Sequence, residues 1–319
     1  MTERDAPARQ PGPGGPRLQT QPQAASAHQP MPLAAVLRHL LTLDGEIGSA
    51  GLHGALMAND PPTQRRINDH LAAALDTCLQ LDTARLQLQN AFCTQRELQT
   101  VLEMLVARAD AGQAGSLEVL RVSALLAAGD DKVFEAMTEW RQVGQRFTRQ
   151  TRLLPAQLEP LVDAPGPIAE DEMDRLAKAC LWVHAGPHPG LQRAGDRSEQ
   201  RTGASQVCGQ ALDAMVQARI QAVADFSAAR EAYLQTVLDL DRQHARYVRA
   251  RSLRRTAEAA FRFGSRCAID LSEAIVEERQ CLHVVLERQA RRMAATHWLY
   301  ALAGCLPRRF GWVQPPAWH

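Results

Sequence analysis

The chain has 319 residues and a formal net charge of +1, with 22% charged and 5% aromatic residues. Ala, Leu, Arg and Gln number 52, 39, 34 and 27, whereas Ile and Val together number only 24. Helix formers dominate, a strand-rich core lacks material, and the near-neutral charge excludes a polyelectrolyte. No run approaches ~18 uninterrupted apolar residues, so an ordinary membrane-spanning helix is excluded.

Residues 1–32 hold seven prolines, three glycines and five glutamines and almost nothing to bury. This composition predicts a disordered tail. Leu33–Leu43 reads as a first short helix. A long helix follows over 63–108, with Ile67, Leu71, Leu75, Cys78, Leu79, Leu86, Cys93, Leu102 and Leu105 mainly at helical steps. The glycines at 112 and 115 end it. Helices are predicted over 117–128, stopping at Gly129, and over about 131–151, with Val133, Met137, Trp140, Gly144 and Phe147 on one face. Four prolines make 152–167 an irregular connector. Pro167 then opens a helix to His184, and Glu170, Asp171 and Glu172 suit the positive end of its dipole.

The boundaries expected are a tail over 1–32, a helical bundle region over 33–185, a polar linker over 186–205, a long helical hairpin over 206–304 and an irregular C-terminal tail over 305–319. In the hairpin, Leu212, Val216, Arg219, Val223, Phe226, Arg230, Tyr233, Val237, Leu240, His244 and Tyr247 alternate steps of four and three. Leu212, Val216, Val223, Phe226, Tyr233, Val237 and Leu240 are therefore the expected assembly seam of a coiled coil. A helix over 205–262 spans about 87 Å at 1.5 Å per residue. After Gly264 a second helix runs to about residue 304. The fold class expected is all-α: an elongated helical bundle with long coiled-coil-like hairpin helices.

Motifs for chemistry are scarce. Cys180, His184 and His188 have the best metal-ligand spacing, but Gly186-Pro187 interrupts it and no fourth ligand is evident. Asp241 and His244 read as a polar layer in a seam. No phosphate loop, G-x-S-x-G elbow, H-E-x-x-H or kinase signature occurs. No catalytic residue, metal or cofactor is expected. The seven cysteines form no C-x-x-C pair and no secretory signal pattern opens the chain, so a reducing, cytoplasmic setting is expected, with the membrane periphery as the alternative.

Charge supplies the remaining signal. From residue 242 to the end the chain carries 14 Arg and 6 acidic residues. Arg242, Arg246, Arg249, Arg251, Arg254, Arg255, Arg262 and Arg266 face only one acid, Glu258, within their stretch. Uncompensated repulsion on one helix points to a partner for this face. Three readings compete: the acidic N-terminal half of the same chain, an acidic protein, or anionic lipid. Nucleic acid is disfavoured because the interleaved aromatics are few, and no small-molecule substrate is evident. The function expected is a non-enzymatic helical scaffold that self-associates or binds a protein partner through its seams and arginine face. The alternatives are an anionic-lipid-binding helical protein and an all-α enzyme without a recognisable motif.

Overall fold

The computed structural model describes residues 30–43, 61–161, 166–184, 201–264 and 267–312. The expected tail, apart from residues 30–32, and most of the expected linker lie outside the described residues. Seven α-helices are described: α1 (Leu33–Leu43), α2 (Pro61–Asp110), α3 (Ser116–Thr151), α4 (Glu170–His184), α5 (Arg201–Arg262), α6 (Ala268–Leu302) and α7 (Leu306–Arg309). A 3-10 turn covers Pro155–Gln157. The only β feature among the described residues is a bridge between Met31 and Leu158. The chain is thus all-α, as composition and periodicity require.

The element order repeats. A short helix, a very long one, a tight turn and a long return helix occur first as α1, α2 and α3, then as α4, α5 and α6. The two turns share one solution. Gly112 follows α2 and Gly264 follows α5, each at a φ of 72°. Glycine takes this left-handed conformation without a Cβ clash, and five residues separate the helices at each turn.

The four long helices pack in the order α3, α2, α6, α5, as one layer. Inner helices α2 and α6 are covered on two sides. Edge helices α3 and α5 have no packing interface with each other. Three cores hold the layer. Near the hairpin tips, Leu98, Val101, Leu105, Val122, Phe261, Leu271 and Ile275 pack together. There Arg108 lies 4.2 Å over the Phe261 ring, and Glu118 on α3 accepts the Ala268 backbone N–H that opens α6 at 3.0 Å. Further along, Val36, Cys78, Leu81, Val143, Phe147 and Leu158 join α1, α2 and α3 to the connector. At the far end, Leu71, Leu75, Met173, Leu176, Phe226, Tyr233, Leu299 and Leu306 form a core drawn from both sequence halves. The Tyr233 hydroxyl accepts the Ile168 N–H at 2.7 Å, and the Tyr300 hydroxyl donates to Glu172 at 3.1 Å, which anchors α4.

Two expectations need correction. Gly129 does not stop a helix, because α3 runs unbroken from Ser116 to Thr151. Gly129 is buried there against α2, where a Cβ on it would stand 3.6 Å from the Leu98 side chain, an ordinary contact, so the helix runs through it without strain. The segment after 305 begins with a helical turn, α7, whose Leu306 N–H donates to Asn68 Oδ1 at 3.1 Å.

The covered seam of α5 also takes its own path. It runs through Ala222, Phe226, Ala229, Tyr233, Leu240, Ala250, Ala257 and Phe261, large rings alternating with alanines. Phe226, Tyr233 and Leu240 of the expected seam lie in it. Val237 is half-buried, and Leu212, Val216 and Val223 are exposed. The sequence stripe drifted because alanine is too common to mark a face, although small side chains are what let two long helices approach.

Two measurements test this packing. Phe226 is 6% exposed and Val216 45%. Phe226→Ala should cost about 3–5 kcal/mol in chemical denaturation, and Val216→Ala under about 0.5 kcal/mol. His297 is buried, its Nδ1 has no hydrogen-bond partner among the described residues, and its ring stacks on Phe310 at 5.9 Å. Burial, reinforced by the Arg309 charge, pulls its pKa down to about 4. The unfolded chain takes up this proton near pH 6.5, so the contribution is complete above that value and lost as pH falls towards 4. Going from pH 7 to 5 should cost about 2 kcal/mol through this group, and His297→Phe should remove that part of the melting shift.

Candidate interaction surface

The arginine stretch of α5 divides by what each side chain meets. Arg254 reaches inward, with Glu278 of α6 at 2.8 Å and Glu97 of α2 at 3.2 Å. Glu97 also pairs with Arg279, whose backbone carbonyl accepts from Asn90 Nδ2 at 3.0 Å. The Glu97 Oε2 contact to Arg254 is an ion pair without hydrogen-bond geometry. Two arginines and two glutamates thus form a neutral polar junction that ties α2, α5 and α6 at one level. Arg246 pairs across to Glu277 at 3.0 Å, on the exposed side. Arg242 and Arg262 pair within α5, with Asp239 at 3.5 Å and Glu258 at 2.6 Å. Arg249, Arg251 and Arg255 are exposed and have no ion pair among the described residues. Arg266 lies outside them.

The arginines therefore do not act as one face. Part of the charge neutralises acids of the same chain, one of them in the N-terminal half. The rest stands free at the layer's edge.

Both edge helices also carry unpartnered apolar residues. On α5, Val216, Ile220, Leu234, Leu238 and Val248 are exposed. On α3, Val133, Trp140, Gly144 and Phe147 face inward, while Leu117, Leu120 and Phe134 are exposed, Phe134 at 68%. The α3 stripe was missed in the sequence, although a second run of three- and four-residue steps at 117, 120, 124, 127, 131 and 134 lies opposite the first. A helix apolar on two faces has a second surface to cover.

Between α2 and α6 lies an open groove of about 620 Å³, lined by Asp69, Ala72, Leu75, Asp76, Ala294 and Trp298. Of the candidate metal set, the structure describes only the Cys180 side chain. Cys180 is buried with its thiol 3.8 Å from the Ala222 carbonyl, and the His184 side chain and His188 lie outside what is described. Burial pushes the Cys78 thiol up to about 12, and burial with the Asp225 charge pushes Cys180 up to about 11, the reverse of what a nucleophile needs.

No protein-family model matches the chain. No curated protein matches it in sequence. Solved structures do. The outer-membrane channel OprN superposes on 85% of this chain and 71% of its own, with a TM-score of 0.56 and 17% identity. The Neisseria gonorrhoeae MtrE outer-membrane channel in its open state gives 85% and 72%, with a TM-score of 0.55 and 15% identity. The Campylobacter jejuni CmeC outer-membrane channel gives 85% and 68%, with a TM-score of 0.56 and 11% identity. At such identities the likeness is one of fold: the chain has the long-helix architecture of outer-membrane channels. That finding overturns the expectation of a cytoplasmic coiled-coil scaffold and its lipid-binding alternative. Helical periodicity and absent motifs could not separate a scaffold from a channel wall, because both use long seamed helices.

The polar junction yields a direct test. Glu97→Ala leaves Arg254 and Arg279 short of an acid in a partly buried site, and should cost about 1–3 kcal/mol in urea unfolding. Glu135→Ala removes an exposed pair with Lys132 at 2.7 Å and should cost about 0–1 kcal/mol.

Proposed function

We propose that this chain is a non-enzymatic protomer of a transport channel, its long helices forming part of the channel wall in copies set side by side. The observation that carries the reading is the fold likeness to outer-membrane channels over 85% of the chain. Two features support it. The long helices form an open layer, suited to be one segment of a larger wall, and both edge helices expose apolar side chains that a neighbour would cover. No described helix is long and apolar enough to cross a membrane, so the described helices act as wall rather than as spans. The setting that goes with this role is the outer membrane and the space beneath it, and the partners are further copies of the chain and proteins of the same transport system.

The test combines location with transport. Membrane fractionation of the native source should place the protein with the outer membrane. Disrupting its gene should raise accumulation of a small cationic dye such as ethidium, and the wild-type gene should reverse that. A protein confined to the soluble cytoplasmic fraction, with unchanged dye accumulation on disruption, would overturn the proposal.

A further inference from the structure

The two edges of the layer differ in charge in a way that matches them to each other. The outward stripe of α3 runs through Leu117, Leu120, Ala124, Ala127, Asp131 and Phe134, opposite the face that packs on α2. The outward stripe of α5 runs through Leu234, Leu238, Ala245, Val248, Ser252 and Ala259, opposite its seam. Both mix small and apolar side chains, which permits close helix contact. Asp131 lies in the first with Glu135 beside it, and Arg242 and Arg249 flank the second.

α3 starts and α5 ends at the same end of the molecule, since Glu118 caps α6 and Arg108 covers Phe261 there. Counting about 1.5 Å per residue from that end, Asp131 stands about 22 Å along α3 and Arg249 about 20 Å along α5. Glu135 and Arg242 stand at about 28 and 30 Å by the same count. The partners match in level to within about half a helical turn, and α3 and α5 run in opposite directions. Asp131 and Arg249 have no ion pair among the described residues. Glu135 and Arg242 have only exposed pairs within their own helices. Arg255 stands level with Ala124 and Arg121 and takes no part in this match.

We infer that α3 of one copy packs against α5 of a second copy, with all hairpin tips pointing the same way, Arg249 facing Asp131 and Arg242 facing Glu135. The inference rests on the self-association proposed above and names its surfaces. The α3 edge is acidic over residues 130–139 and the α5 edge basic over residues 242–255, so the contact is head-to-tail and repeats from copy to copy. Apolar stripes supply the contact area, and the charges set register and exclude the reversed pairing.

The test is a charge swap on the full chain in mild detergent, read by sedimentation velocity. Wild type should associate. Arg242→Glu with Arg249→Glu, and separately Asp131→Arg with Glu135→Arg, should each weaken association tenfold or more at unchanged melting temperature. A chain with all four changes should associate again. So should an equimolar mixture of the two double variants, since each then presents the edge the other needs. Double variants that associate like wild type would overturn the pairing and leave self-association standing. So would a folded fourfold variant that stays monomeric. A wild-type chain that is monomeric at every concentration would overturn pairing and self-association together, while the dye-accumulation assay decides the transport role separately.

Discussion

A helix of 50 or 62 residues survives in water only when its apolar seam is covered along its length, because isolated helix formation is marginal and packing supplies most of its stability. In this chain the seams are covered by antiparallel return helices, and the tight glycine turns after α2 and α5 make that return immediate. The two hairpins then meet along α2 and α6. What results is a layer with two covered inner helices and two edge helices covered on one side only.

The means of holding such a layer change along its length. At the tips it is apolar contact plus a capped helix start, with Glu118 supplying the acceptor that Cys267 does not offer α6. Just behind the tips, about 12–20 Å along the helices, it is charge, where Arg254, Glu97, Glu278 and Arg279 lock three helices in register. Such a junction adds little net stability over an apolar one, but a shifted register would leave charges unpaired in a partly buried site. At the far end it is aromatic, with Tyr233, Tyr300, Phe310 and Trp312 gathering α4 and the last turn of chain against the layer.

Much of this was legible in the sequence, and the rest was hidden for identifiable reasons. The long helices were visible because leucine, isoleucine and cysteine mark α2 at helical steps and because Gly112 and Gly264 interrupt nothing else. The continuity of α3 was not visible: Gly129 looks like a stop in sequence, yet it lies buried against Leu98 of α2, and that packing carries the helix through it. The seam of α5 was found at Phe226, Tyr233 and Leu240 and lost between them, where its members are alanines. The arginine stretch was noticed as one feature, yet the fold divides it between inward Arg254 and outward Arg249. Local sequence cannot show this, because Glu97 is 157 residues away from Arg254. Function was the least legible, since long seamed helices without a catalytic motif serve many roles and mark none of them.

The central claim is that the layer is open, with α3 and α5 apart within one chain. It is tested most directly by pulsed electron resonance between spin labels placed at Phe134 on α3 and Leu238 on α5, with the native cysteines replaced. In doubly labelled chains diluted with unlabelled protein, only a long separation should appear. Undiluted, a short separation should join it, contributed by neighbouring copies. A short separation that persists undiminished on dilution would mean that the chain closes on itself, and would contradict the account.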